Sequence, residues 1–177
     1  MWFALRHLVA VAIVPGIVTI GVPVWIVDRY AVPVAMPHSL AGFVAVVLGG
    51  VTGIAGLVLF ASSLLRFGRE GRGTLAPWDP PRELVIGGPY RYVRNPMISG
   101  VILILAAEAL VLRSAPHGWW TAIFVGINAT YIPLLEEPLL ALRFGSAYDE
   151  YRRHVPRLLP RLRPWAGPGE SRRAGAP

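Results

Sequence analysis

The fold is decided by residues 40–65, LAGFVAVVLGGVTGIAGLVLFASSLL, a stretch of 26 residues without a single charge. A helix needs about 20 apolar residues to cross the hydrocarbon core of a bilayer. Residues 8–27 and 116–135 are uncharged as well, and residues 96–112 carry only one acid, Glu108. We therefore predict an all-α integral membrane protein with four transmembrane helices, at about 8–27, 40–65, 96–112 and 116–135.

The composition excludes several other classes of protein. The chain has 177 residues, of which 54% are hydrophobic, and it contains no cysteine. Disordered chains are far less hydrophobic, and disulfide scaffolds, thiol enzymes and cysteine-ligated metal sites all need cysteine. The histidines are scattered along the sequence and form no metal-binding pattern, so we expect no metal.

The arginines fix the orientation in the membrane. The net charge is +7, and all 17 basic residues are arginines. With the N-terminus in the cytoplasm, 15 of the 17 fall on the inner side, and only Arg29 and Arg113 fall outside. Cytoplasmic loops of membrane proteins carry such an excess of positive charge. We predict that both termini are cytoplasmic, and the basic charge gives no reason to expect a nucleic-acid partner.

Two cytoplasmic segments are too long to be simple connections. One is the loop 66–95, and the other begins at Glu136. Apolar residues then recur at helical spacing, which predicts a surface helix over about 138–154, bent at Gly145, with Asp149 and Arg153 paired on its polar side. This apolar face consists of Leu140, Phe144, Tyr148, Tyr151 and Val155. We take residues 1–163 as one membrane domain and expect 164–177, rich in Pro, Gly and Arg, to be disordered.

The third and fourth spans are predicted to form an antiparallel hairpin, because only residues 113–117 join them. The hairpin brings Arg94 and Asn95, at the inner start of the third span, beside Glu136 and Glu137 at the inner end of the fourth. Acids are unusual at an inner helix end, where arginine normally prevails. Glu136 is thus either a functional group or an ordinary solvated boundary residue.

Two features within the spans have both a structural and a functional interpretation. The second span carries a stripe of small residues, including Gly49 and Gly53, which suits internal packing better than a dimer interface. Glu108 lies about 18 Å along the third span from Pro96. It is either functional or a protonated carboxyl hydrogen-bonded to the partner helix, through Asn128, Thr130 or Tyr131.

Two motifs carry a resemblance to a known family. The first comprises residues 76–81, APWDPP, and residues 88–97, GPYRYVRNPM. The second begins with Glu136-Glu137-Pro138 and continues through Phe144-Gly145 and the later tyrosines to residues 155–157, VPR. Together, over roughly residues 40–160, the chain resembles the isoprenylcysteine carboxyl methyltransferase and phospholipid methyltransferase-like family of integral membrane enzymes.

The resemblance implies methyl transfer from S-adenosylmethionine bound at the cytoplasmic face, without a metal, to a lipophilic small molecule that partitions into the lipid bilayer. It places the cofactor between the loop and the C-terminal helix. Glu136 can accept hydrogen bonds from the cofactor's ammonium or ribose, and Arg94 or Arg91 can pair with its carboxylate. Glu136 and Arg94 are also the best candidates for a catalytic role. The cofactor contacts carried over are Arg82, Glu83, Leu84, Val85, Tyr90, Asn95, Pro96, Met97, Ile98 and Glu136.

Three positions depart from the family pattern. Asn95 replaces a histidine, Ile98 replaces a tyrosine, and Ile132 replaces an arginine that is linked to a carboxylate substrate. Without that arginine, an amine, hydroxyl, thiol or small acid is at least as plausible an acceptor as isoprenylcysteine. The same departures support the alternative of a noncatalytic four-helix scaffold that keeps the fold without turnover.

Overall fold

The computed structural model describes residues 14–34, 36–71 and 83–167. Within these ranges the chain is helical and contains no strand. The described residues include six complete α-helices, two π-helical turns and one 3₁₀ turn, and residues 14–16 are helical as well. In chain order, the elements are the π-helical turn Ile17–Gly21, α1 (Val22–Arg29), α2 (Leu40–Glu70), the 3₁₀ turn Gly88–Arg91, α3 (Pro96–Leu112), α4 (Ala115–Tyr131), the π-helical turn Ile132–Glu136, α5 (Glu137–Phe144) and α6 (Ser146–His154).

Among the described helices, α2 is the one that is long and apolar enough on its own to cross a membrane. The N-cap residue of this helix is Ser39, whose hydroxyl accepts a hydrogen bond from the Gly42 amide at 3.1 Å. Its outer side is covered with exposed apolar side chains, among them Val51, Ile54 and Leu57. Such a face is too large for an ordinary water-exposed surface and suits contact with lipid.

The other predicted spans match helices to different degrees. Helix α3 has the predicted bounds, 96–112, and is apolar but only 17 residues long. Helix α4 begins within one residue of the predicted start, and its backbone stays right-handed and helical through the π-helical turn into α5. The first span is described only from residue 14 onward, so residues 8–13 lie outside the described part. The all-helical prediction is confirmed for the described residues, and the four-span arrangement stays a prediction.

The core of the bundle is the contact between α2 and α3, which run antiparallel. The buried small residues of α2 recur every seven residues, at Gly42, Gly49, Gly56 and Ser63, and Phe67 is buried nearer the end of the helix. The stripe predicted from the sequence has a spacing of four, at Ala41, Ala45, Gly49 and Gly53, whereas a period of seven is typical of helices that pack as in a left-handed coiled coil. Gly49 and Gly53 of the predicted stripe lie against α3, since an added Cβ would come within 2.7 Å of Val111 at the first and 3.2 Å of Ala107 at the second, whereas Ala41 is exposed.

Replacing Gly56 with alanine is expected to push α2 and α3 apart. An added Cβ would lie 2.9 Å from the carbonyl oxygen of Gly100 and 2.9 Å from Cβ of Leu103. Because backbone cannot move aside cheaply, the expected cost is about 1–3 kcal/mol. Gly50→Ala is the matched control, since nothing lies within 4 Å of its added Cβ. Unfolding midpoints in detergent should fall for Gly56→Ala only, and equal midpoints for both variants would contradict this packing.

Below the bundle, the loop and the C-terminal helices share a second core, the aromatic cluster. Its buried members are Phe67, Val85, Tyr90, Tyr148, Tyr151, Val155 and Trp165. Leu140 and Phe144 pack against it, which confirms the predicted apolar face. Gly145, at φ 55°, breaks the predicted surface helix into α5 and α6.

Two details differ from the sequence predictions. Asp149 pairs with Arg152 at 3.1 Å rather than with Arg153, whose Nε donates instead to the Asp149 carbonyl. A spacing of three brings the first pair together on the helix surface. Disorder was predicted from residue 164, yet Trp165 is buried in the aromatic cluster and its amide donates to the Arg91 carbonyl. Residues 168–177 lie outside the described part.

Candidate functional site

The site is assembled at the open end of the α3–α4 hairpin, opposite the turn that joins the two helices. Only Arg113 and Ser114 separate the two helices, as the short connection predicted. Arg94, just before α3, therefore meets the end of α4, and its Nη2 lies 3.0 Å from Oε1 of Glu137. The predicted convergence is confirmed for Arg94, but its ion-pair partner is Glu137 and not Glu136.

A local irregularity of the helix separates the two neighbouring glutamates. Residues Ile132–Glu136 form a π-helical turn, and Pro133 within it has no amide hydrogen to continue the α-helical bonding. Such turns shift the following side chains around the helix axis and are frequent at functional sites. The Glu137 side chain is almost fully buried, and that of Glu136 is half-buried.

Glu137 is the centre of an ion-pair cluster that we call the carboxylate clamp, formed by Glu137, Arg94 and Arg157. Arg157 donates from Nε to Oε1 at 2.6 Å and from Nη2 to Oε2 at 3.0 Å, a bidentate arrangement. Burial alone would raise the pKa of Glu137. The hydrogen bond from Arg157 and the charges of the nearby arginines outweigh burial and lower that pKa. Glu137 is therefore ionised at neutral pH, and arginines bind both of its carboxylate oxygens.

Arg94 has spare hydrogen-bonding capacity in a buried place. Its side chain is 9% exposed, and Nη2 is used by Glu137. Its Nε and Nη1 are buried and have no acceptor within the described part of the chain. Nearly all buried donors in folded proteins are paired, so two unpaired donors on one guanidinium can receive an anionic or carbonyl ligand.

Glu136 has the opposite character to Glu137. Its side chain makes no hydrogen bond and no ion pair with any of the described residues. Burial raises its pKa, and the neighbouring charge of Glu137 raises it further, against the opposing effect of Arg94. Its negative charge contributes, after burial, to a raised pKa of the Tyr90 hydroxyl. Glu136, Arg94 and Tyr90 are thus close enough to interact, and Glu136 has a carboxylate to offer a cation.

The chain after α6 closes this region from the C-terminal side. We call residues 155–165 the strap. The amide of Arg94 donates to the Pro156 carbonyl at 2.8 Å, and the amide of Asn95 donates to the Arg157 carbonyl at 3.1 Å. The Asn95 side chain donates to that same carbonyl at 3.3 Å. Asn95 thus holds the strap through both its backbone and its side chain.

The predicted site residues are only partly gathered. Val85 and Tyr90 belong to the aromatic cluster, with Leu84 and Met97 packed on it. Pro96 is buried and Ile98 is half-buried in the first turn of α3, and the Glu83 amide donates to the Gly71 carbonyl. Arg82 and the motif at 76–81 lie outside the described residues. Arg91 is engaged with the strap, since its Nε donates to the Trp165 carbonyl at 2.5 Å, which leaves Arg94 as the better partner for a carboxylate.

Three residues that hold this region together were not among the predicted site residues: Glu137, Arg157 and Trp165. Arg157 is 20 residues from Glu137 along the chain, and no local spacing rule connects them. The pair of adjacent acids does not tell which of the two faces the interior. The second motif contains both Glu137 and Arg157, but it does not show that their side chains pair.

The structure does not gather the other candidate groups into this site. Oε2 of Glu108 is buried without a hydrogen-bond partner in the described part. Asn128 and Thr130 donate to carbonyls of their own helix, Phe124 and Gly126, so the hydrogen bonds proposed between them and Glu108 are wrong. Within the described ranges, no three acidic, histidine or cysteine side chains are grouped so that they could hold a metal.

Comparison with known proteins places this region in context. The family model described as phospholipid methyltransferase matches residues 44–147, more than half of the chain and all of the span from Tyr90 to Glu137. Among curated proteins, the chain is 32% identical over 141 residues to methanethiol S-methyltransferase 2 of Bradyrhizobium diazoefficiens. The alignment covers 73% of this chain but only 52% of that protein, so the chain spans about half the length of this relative. No solved structure matches the chain.

Proposed function

Because the chain belongs to the phospholipid methyltransferase family, we propose that it transfers a methyl group from S-adenosylmethionine to a lipophilic acceptor at the cytoplasmic face of the membrane. The observation that carries the proposal is a pair of oppositely charged side chains with free hydrogen-bonding groups, Arg94 and Glu136, at the open end of the hairpin. Arg94 has two buried donors without an acceptor, and Glu136 has a half-buried carboxylate without a donor among the described residues. Both lie within the segment that the family model matches.

The two charges complement the amino-acid end of S-adenosylmethionine. A carboxylate would satisfy the free Nε and Nη1 of Arg94 as a charge-assisted pair, and an ammonium would satisfy Glu136. Tyr90, whose hydroxyl is affected by the charge of Glu136, supplies an aromatic ring, which suits a positively charged sulfur or the adenine base. Val85 and Met97 supply apolar surface close by. The residues present therefore fit the cofactor.

The chain's own contribution to the reaction is position and exclusion of water. S-adenosylmethionine, when bound, supplies an electrophilic methyl group on a sulfonium. The carbon–sulfur bond breaks as a bond from the acceptor to the same carbon forms, and no bond to the protein is needed. Arg94 and Glu136 orient the two ends of the charged group, and the strap and aromatic cluster keep the site dry.

The membrane part of the proposal rests on the apolar surface and the arginines. Exposed apolar residues continue from the lipid-facing side of α4 to Leu135, Leu139 and Leu142, which share one face of the continuous helix. The carboxylate clamp lies on the inner side of that helix, at the membrane interface. We propose four spans with the cytoplasmic side at this end, so that an acceptor dissolved in the bilayer can reach the site laterally.

The acceptor is proposed to be a lipophilic amine, hydroxyl or thiol. Ile132 is fully buried one turn before Glu136, so this position offers no cation for a carboxylate substrate. The relative is named for a small thiol, and a thiol belongs to the proposed acceptor range together with amines and hydroxyls. Methyl-labelled S-adenosylmethionine should be incubated with purified protein and membrane extract, and the labelled product identified. If the wild type forms no more labelled lipid-soluble product than Glu136→Gln does, the proposed turnover is contradicted.

An analogue of the cofactor without its carboxylate tests whether Arg94 binds that carboxylate. An S-adenosylmethionine analogue that lacks the carboxylate should bind the wild type at least about tenfold more weakly than the parent compound, a loss of about 1.4 kcal/mol. In Arg94→Gln both compounds should bind with similar affinity, because the carboxylate has lost its partner. Arg157 still pairs with Glu137 in this variant, which preserves part of the clamp. If the analogue loses as much affinity in Arg94→Gln as in the wild type, Arg94 does not bind the carboxylate.

A further inference from the structure

The strap carries two leucines that the folded chain leaves uncovered. Residues 158–163 read LLPRLR, and within them Leu159 is 81% exposed and Leu162 is 100% exposed. The segment is nevertheless held at both ends. The hydroxyl of Ser99 donates to the Leu158 carbonyl at 2.8 Å, and the amide of Trp165 donates to the Arg91 carbonyl at 2.9 Å. Both leucines are therefore presented outward by a segment whose ends are hydrogen-bonded.

The position of the segment points to the bilayer as the medium that covers it. Ser99 lies in the first turn of α3, inside the predicted third span, so the Leu158 carbonyl reaches the depth at which that span begins. Leu159 follows immediately. On α5, Leu139 and Leu142 are also strongly exposed. Apolar side chains at this level suit the boundary between headgroups and acyl chains.

The charges around the segment favour an anionic surface. Between residues 151 and 167 the sequence has five arginines and no aspartate or glutamate. Arg152 and Arg157 are neutralised by Asp149 and Glu137. Arg161 and Arg163 have no acidic partner within the described ranges, and Arg161 is fixed by a hydrogen bond from Nη1 to the His154 carbonyl at 2.6 Å. Arginines beside exposed apolar groups are typical of segments that bind anionic lipid.

We propose that residues 158–163 form an interfacial anchor that binds anionic phospholipid. Leu159 and Leu162 insert below the headgroups, and Arg161 and Arg163 lie at the level of the phosphates. The anchor rests on the proposed membrane arrangement. It ties the strap, and with it the carboxylate clamp, to the surface of the membrane from which the acceptor enters.

The chain contains no cysteine, so single cysteines can be labelled without background. A fluorophore at Leu162→Cys should be quenched by nitroxide-bearing lipid in nanodiscs at least about twofold more strongly than one at Ala147→Cys, an exposed position on α6. The quenching at position 162 should be stronger in phosphatidylcholine–phosphatidylglycerol than in phosphatidylcholine alone. Changing Arg161 and Arg163 to glutamine should remove that lipid dependence.

A third label, at Val51→Cys on the exposed face of α2, tests the proposed membrane arrangement separately from the anchor. If Val51→Cys is quenched and Leu162→Cys responds only to water-soluble quencher, the anchor is wrong and the membrane arrangement stands. If neither label is quenched by nitroxide-bearing lipid, the anchor and the membrane arrangement are both wrong. Equal quenching of Leu162→Cys in the two lipid mixtures would overturn the choice of anionic lipid, and energy transfer between labelled copies in one nanodisc would assign the surface to a second copy of the chain.

Discussion

Glu137→Gln is expected to lower the free energy of unfolding by about 3 kcal/mol, because it removes the one carboxylate that Arg94 and Arg157 share. The Arg94 side chain is 9% exposed and would keep a buried charge without a counter-ion. Arg157 is 36% exposed and can turn to water, which limits the loss to the lower part of the range for broken buried pairs. Chemical unfolding in detergent, followed by Trp fluorescence, measures the difference.

The pH dependence of the same variant checks the cause. The pKa of Glu137 is lowered in the folded protein, so its contribution is fully present above the ordinary pKa of glutamate and is lost as the pH falls through the lowered value. The difference between wild type and Glu137→Gln should therefore shrink on acidification. A difference that is constant with pH would mean that the loss comes from packing rather than from the clamp.

Glu136→Gln is expected to weaken the binding of S-adenosylhomocysteine at least about tenfold, which corresponds to about 1.4 kcal/mol. The carboxylate that would hold the ligand's ammonium is lost, and an amide oxygen is a poorer acceptor for a cation. The fold should not suffer. Burial raises the pKa of Glu136, so the ionised form costs stability as the pH rises through and above its ordinary range, and glutamine removes that cost.

The two neighbouring substitutions are matched controls for each other. Glu136→Gln should bind ligand weakly at wild-type stability or above, whereas Glu137→Gln should lose stability. Wild-type affinity should also decline on acidification, closer to neutral pH than an ordinary glutamate would cause, because protonation of Glu136 removes its charge. Unchanged affinity in Glu136→Gln would exclude this residue from the site.

The sequence was sufficient for features governed by local periodicity and length. The uncharged run at 40–65 predicted α2, the short connection predicted the α3–α4 hairpin, and the 3–4 spacing predicted the buried face of α5 and α6. Each depends on neighbours along the chain, where helical geometry fixes which side chains share a face.

The features that were missed depend on distant or irregular contacts. An ideal helix turns about 100° per residue, so two adjacent glutamates face different directions, but the π-helical turn at Pro133 decides which one meets Arg94. Arg157 reaches Glu137 only because the strap folds back along residues 90–99. Trp165 is buried through that same return, in a Pro- and Gly-rich segment whose composition by itself favours disorder.

The central claim is that Arg94, Glu136 and Tyr90 form a site for the amino-acid end of S-adenosylmethionine. Calorimetric titration of the purified protein in nanodiscs with S-adenosylhomocysteine tests it most directly, with adenosine as the control ligand that lacks both charges. We predict saturable binding of one ligand per chain that is far tighter than the binding of adenosine. The absence of binding at millimolar S-adenosylhomocysteine, with the protein folded, would contradict the account.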